Sequence, residues 1–394
     1  MDAAKYLERR QLLSQRHKNT LFLIPSGVGA PRSHSVEYRF KPASDFFYLC
    51  GLHLAGAVLL LFGDEAILFN PASGDALWGE FTDLAEEDAA QLTGLRLENR
   101  ESMTEVVRML LDKADRVAAA LGRDRELDSM LLSMISYEAS SRRTRRSPLS
   151  LCDSRALIGA LRLIKDESEL EALREAGRRS SKVHRALMEQ SWIGKTERDV
   201  CAWIEGHFLL EGLPWTAYET IVGSGERSTI LHARASNRRI GPDELVLIDA
   251  GGEWKGYCAD ITRVLPSGER FTPAQKDVYE IVLTAHHEAI RQVGPGVSLE
   301  ELHQAASETL IRELARKGHR ESEVRERIGE LFPHNVGHWI GADVHDPSPY
   351  LDEQGRAIRL REGMCLTIEP GLYFRDPKFL GRYHGIGVRI EDNV

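Results

Sequence analysis

The sequence predicts an α+β protein in two parts: a smaller N-terminal α/β domain over residues 1–160 and a larger α+β domain over 161–394. Three observations predict it. The first part mixes short apolar runs with helix-like stretches. A helix with a strong start signal opens near residue 166. The second half then reads helix, helix, strands, and again helix, helix, strands, a mixed order that suggests helices packed on a curved antiparallel sheet.

Taken in order, "YLERRQLLSQRH" has helical character and "TLFLIP" is a short buried strand. "FFYLCG" and "AGAVLLLFG" follow it. "EAILFNP" reads as the partner of a hairpin turning through Gly63-Asp64. Residues 83–140 alternate helical and short apolar stretches, and "SRRTRRSP" at 141–148 is a basic, proline-containing break, read as a solvated loop. In "LRLIKDESELEALREAGRRSSKVHRALME", Asp166 and Glu169 make a capping-box start. Leu170, Leu173, Ala176, Val183 and Leu187 form an apolar stripe. The domain boundary falls just before this helix. "TERDVCAWIEGHFLLEG", "TPAQKDVYEIVLTAHHEAIRQV" and "SLEELHQAASETLIRELARKG" are further helices, and "MCLTIEP", "GLYF" and "GVRIED" are short strands.

Bulk properties narrow the function. The net charge of −9 argues against a general nucleic-acid-binding surface. The first residues have no signal-peptide core, and no segment offers the ~18 uninterrupted apolar residues of a membrane span. The five cysteines are scattered and form no CxxC pair, which points to a reducing, cytoplasmic setting.

The chemistry gathers in the second half. Asp249 ends the apolar run of "LVLIDAGGEWKGYCADITRV", and Asp260 opens the next β run eleven residues later. Glu369 ends the β run of "MCLTIEPG". Arg389 and Glu391, two apart in "GIGVRIED", share one face of a strand. "PHNVGHWIGADVHD" supplies His334, His338 and His345. Singly, each has an ordinary reading as a cap, turn or surface residue. Together, four carboxylates in apolar β settings need counter-charge. Two divalent ions bound by these acids and one imidazole satisfy that need, with Arg389 balancing the excess left by a bridging hydroxide. Such a pair of ions lowers the pKa of a shared water and polarises a carbonyl, which is hydrolytic chemistry. The oxygen-rich donor set favours manganese, with zinc, cobalt or iron also compatible.

The contexts "IDAG", "DITR", "GHWIG", "TIEPG" and "VRIED" resemble those of the pita-bread metallopeptidases, the family of methionine aminopeptidases, prolidases, Xaa-Pro aminopeptidases and the metal-free creatinases. The resemblance spans roughly residues 165–394, and "YRFKPASDFFYLCG" is similar to the N-terminal domain of the aminopeptidase P branch. It implies a pita-bread C-terminal domain with Asp249, Asp260, His338, Glu369 and Glu391 as metal ligands. It further implies Glu369 as general base or proton shuttle, and His232, His334 and His345 at the substrate. Arg389 would hold Asp260 or a nearby carboxylate. The implied activity is a metal-dependent hydrolase, an aminopeptidase that removes the residue before a proline with the hydroxide bridging two ions. Trp339 after the ligand histidine and "SDFFYLCG" favour it over a prolidase acting on Xaa-Pro dipeptides. Retention of all five ligands disfavours a non-catalytic binding protein and metal-free creatinase chemistry. Implied partners are peptides with an Xaa-Pro N-terminus and a homodimer or homotetramer, with no nucleic acid and no membrane. Two departures stand out. "PRSHSVEYRF" lacks the Asn and Asp common in that segment. The chain ends three residues after Glu391, where relatives continue through another strand, so thinner support is expected around Glu391.

Overall fold

The computed structural model describes residues 3–34, 36–70, 94–140 and 150–394. The basic run at 141–148 and the first part of the 83–140 region lie outside them. The chain divides into two compact units, Met1–Leu161 and Arg162–Val394. No described helix is long and apolar enough to cross a membrane.

The first unit is built on strands β1 (Thr20–Pro25), β2 (Pro31–Ser33), β3 (Val36–Glu37), β4 (Val58–Phe62), β5 (Glu65–Asn70), β6 (Arg96–Asn99), β7 (Arg116–Ala119) and β8 (Ser150–Asp153). Six of them form one mixed sheet in the order β6-β5-β4-β1-β7-β8, and β2 pairs with β3. The hairpin through Gly63-Asp64 is present, with Phe62 opposite Glu65. Strand β1 is buried on both faces: Leu21 and Leu23 join one apolar cluster, Phe22 and Ile24 another. That two-sided burial is why its sequence is a continuous apolar run instead of an alternating one. The "FFYLCG" run is a short helix, Ser44–Cys50, not a further strand.

The second unit opens with helices Glu167–Met188 and Glu197–Leu210, each started by a complete capping box, at Asp166/Glu169 and Thr196/Asp199. Strands follow: β9 (Trp215–Thr216), β10 (Ile221–Ser224), β11 (Leu245–Asp249), β12 (Gly252–Trp254), β13 (Tyr257–Cys258) and β14 (Thr262–Pro266). Next come helices Pro273–Gln292, Leu299–Arg316 and Glu321–Leu331. The last strands are β15 (Thr367–Ile368), β16 (Gly371–Tyr373), β17 (Gly387–Arg389) and β18 (Asp392–Asn393). The pairing is antiparallel throughout but comes in pieces: β10-β11-β14, β13-β12-β9, β15-β18 and β16-β17. The bridge Thr262–Glu391 ties β14 to the segment between β17 and β18, and Trp339–Leu366 ties the segment around His338 to the start of β15. Helices cover both sides of β11. Leu245 and Leu247 pack with the Pro273–Gln292 and Leu299–Arg316 helices, while Val246 and Ile248 pack with the two earlier ones. A strand buried this way delivers its last residue, Asp249, into the interior.

Candidate metal centre and catalytic pocket

The register of β11 on β14 places Asp249 opposite Thr262, so Asp260 enters two residues before that pair. The Ala250 N–H donates to the Ile261 carbonyl at 3.0 Å and the Ala259 N–H to Gly252 at 3.0 Å, which closes the hairpin around both acids. His338 comes from a loop held against β15. Its N–H donates to Thr367 Oγ1 at 3.0 Å, and the Thr367 N–H donates back to the His338 carbonyl at 2.9 Å. Only a glycine fits before it, because a Cβ on Gly337 would stand 1.9 Å from the Thr367 carbonyl oxygen. The Glu369 N–H donates to Val336 at 2.7 Å.

Glu391 is firmly held, contrary to the thinner support expected from the sequence. Its N–H donates to the Thr262 carbonyl at 3.2 Å and its Oε2 accepts from Thr262 Oγ1 at 2.7 Å. Two residues on, Asn393 clasps the Asp260 backbone. Its Oδ1 accepts from the Asp260 N–H at 3.0 Å, and its Nδ2 donates to the Asp260 carbonyl at 2.8 Å.

These elements converge on one pocket of about 650 Å³. Asp249, Asp260, His338, Glu369 and Glu391 line it, as do His232, His334, His345 and Arg389. One ligating atom from each of Asp260, His338 and Glu391 lies within 4.8 Å of the others. His338 Nε2 is 3.4 Å from Asp260 Oδ2 and 3.6 Å from Glu369 Oε1. Asp249 is turned to Arg389 Nη2 and the Tyr218 hydroxyl, each at 2.5 Å. The carboxylate gripped by Arg389 is thus Asp249, not Asp260, and Arg389 Nε lies 4.0 Å from Glu391 Oε2. The His334 and Arg389 side chains meet at the Tyr373 hydroxyl, at 2.9 and 3.0 Å. Sequence reasoning missed Tyr218, Thr262, Tyr373 and Asn393. Of these, Thr262 and Asn393 carried a hint, each standing two residues from a candidate ligand, Asp260 and Glu391.

Burial dominates the electrostatics. It raises the pKa of Asp249 and carries Glu391 well above the usual carboxylate range, with the neighbouring acids adding to both. Burial pushes Glu369 up to about 7 against the opposing pull of Arg389 and His338. Burial also lowers His334 to about 4. For His338 burial acts downward, but Asp260 and Glu369 outweigh it and its pKa is raised. Four carboxylates therefore face one buried guanidinium, a set short of positive charge. Its oxygen-rich donors with one imidazole fit divalent ions.

A sequence model of metallopeptidase family M24 matches residues 171–394. The chain belongs to metallopeptidase family M24. A second model, the N-terminal domain of aminopeptidase P, matches residues 6–117 of the M24 chain. An Xaa-Pro aminopeptidase of Escherichia coli K12 is 32% identical over 407 residues, covering 99% of this chain and 91% of that protein. Among solved structures, proline aminopeptidase P II from Yersinia pestis superposes with a TM-score of 0.91 at 33% identity, covering 100% of this chain and 93% of the other. Escherichia coli aminopeptidase P with the inhibitor Pro-Leu gives a TM-score of 0.91 at 32% identity, covering 100% and 92%. The M24 chain thus has the α+β pita-bread fold in its C-terminal part, preceded by a smaller α/β domain.

Proposed function

We propose that this chain is a metal-dependent exopeptidase that removes the first residue from peptides with proline in second position. The observation that carries this reading is the convergence of Asp249, Asp260, His338, Glu369 and Glu391 on one pocket. It is supported by the match to aminopeptidase P proteins along nearly the whole chain. We assign those five residues as ligands of two divalent ions, manganese first among the candidates. When bound, the ions supply a water of lowered pKa and charge to polarise the scissile carbonyl.

The chain's own residues do the rest. Arg389, Tyr218 and Thr262 orient the carboxylates through the hydrogen bonds described above. His345 stands at the pocket wall, where a donor can stabilise charge developing on the carbonyl oxygen, and His334 lines the same wall beside the scissile peptide. His232 faces the same space from the substrate side. Glu369 moves a proton to the leaving imino nitrogen. An Xaa-Pro amide lacks the N–H that other peptide bonds offer and has a fixed φ, so recognition rests on the pyrrolidine ring and the free amine. A cytoplasmic setting is part of this reading, supported by five free cysteines. A homodimer or homotetramer is also part of it, by resemblance to the family.

The test is a mass-spectrometric cleavage assay. Protein stripped with chelator and restored with manganese is offered Ala-Pro-Ala, Ala-Pro and Met-Ala-Ser. Release of alanine from the tripeptide, only with metal, is the expected result. Cleavage of Ala-Pro alone would make the enzyme a prolidase.

A further inference from the structure

The loop from His338 to Asp346 closes on itself. The Asp346 N–H donates to the Trp339 carbonyl at 3.0 Å and the Gly341 N–H to the Asp343 carbonyl at 3.0 Å. This returns His345 to His338, with ring centroids 4.3 Å apart and planes at 85°. The His345 ring makes no hydrogen bond to the described residues, so its backbone sets its place.

The next side chain anchors that backbone. The Asp346 side chain is 1% exposed. Its Oδ1 accepts from Ser348 Oγ at 2.9 Å, and its Oδ2 lies 3.5 Å from Arg162 Nη2 and 3.7 Å from Lys165 Nζ. Arg162 Nη2 also donates to Asp343 Oδ2 at 2.7 Å, so one buried guanidinium holds both acids of the loop. The carboxylate sits so close under Gly341 that a Cβ there would be 2.0 Å from Oδ2. None of Arg162, Lys165, Asp343 or Asp346 lines the pocket. Burying two cations and an acid is unfavourable unless they pair, and here the pairing fixes one turn of loop.

We propose that Asp346, held by Arg162 and Lys165, is a positioning residue that sets where His345 stands at the pocket. This rests on the reading of His345 as a group that contacts substrate. The test is a double-mutant cycle on the full, manganese-loaded chain. It compares wild type, His345→Ala, Asp346→Asn and the double variant, with kcat and KM on Ala-Pro-Ala and urea unfolding for each. A misplacement of about 1 Å can cost about 10²-fold in rate. Asp346→Asn is expected to lower kcat on that order with KM little changed, and to add nothing once His345 is alanine. An equal loss in both backgrounds, or no loss in the native one, overturns the proposal. Full turnover in His345→Ala alone overturns instead the reading on which it rests. If Asp346→Asn does not fold, Lys165→Met carries the same cycle. Among the described residues Lys165 Nζ makes no hydrogen bond, so its removal takes away the ion pair with Asp346 and no hydrogen bond. The same confinement of the loss to the His345 background is then expected, and an equal loss in both backgrounds again overturns the proposal.

Discussion

Asp249 accepts from Tyr218 and Arg389 together, and Arg389 goes on to Thr262 Oγ1 at 3.1 Å, whose hydroxyl hydrogen goes to Glu391. Asp249 and Glu391 are thus each fixed by a neighbour with a partner of its own, which keeps these two carboxylates in place at short range. Just outside this network, His184 is buried, with Nε2 2.8 Å from the Ala250 carbonyl. That contact needs a proton on Nε2, and burial then keeps Nδ1 bare, lowering the pKa to about 4. The unfolded chain binds this proton near the ordinary pKa of about 6.5. The stability tied to a neutral His184 is therefore full above about pH 6.5 and is lost as pH falls toward about 4, roughly 3 kcal/mol in all. His184→Gln keeps an amide donor for Ala250 without the titration. Urea unfolding of both proteins between about pH 7 and pH 4 should show the wild type losing roughly 3 kcal/mol more than the variant. Parallel curves would contradict this account of His184.

At the scale of elements, what could be read from the sequence was what local chemistry decides. The helices at Glu167, Glu197, Pro273 and Leu299 announce themselves because each begins with a side chain that caps its own backbone. The helix Glu321–Leu331 went unread because Arg320 gives it no side-chain cap and it buries only Val324 and Leu331. Ser44–Cys50 was hidden differently: from Asp45 to Cys50 every residue is buried, leaving no period to count. The acidic ligand candidates were legible because Asp249, Glu369 and Glu391 end or follow an apolar β run and Asp260 opens one. Tyr218 was not, since its bond to Asp249 depends on how β9 and β10 fold back. One element-level prediction follows from the β15 contact. Gly337→Ala must push the His338 loop away from Thr367, at a cost of about 1–3 kcal/mol for overpacking. Denaturant unfolding should show that loss together with weaker metal retention on dialysis, whereas native stability and native metal content would contradict the close approach.

For the whole molecule, the described fold has one consequence above the others. The second unit wraps helices on both sides of β11 and so buries acids that a protein without cations would hold at considerable cost. The first unit has its own two-sided core around β1, and among the described residues those that line the pocket all belong to the second unit. On the function proposed above, the buried acids and His338 share two divalent ions, and these make the chain a peptidase. The most direct test titrates manganese into chelator-stripped protein, following bound ions per chain by mass spectrometry and alanine release from Ala-Pro-Ala, with Asp260→Asn alongside. Turnover is expected to rise with metal and to level off near about two ions per chain. Asp260→Asn is expected to bind less metal and to lose more than about 10²-fold in rate, beyond the effect typical of residues that only support a ligand. Full turnover in stripped protein, or native turnover and native metal content in Asp260→Asn, would contradict the proposed function.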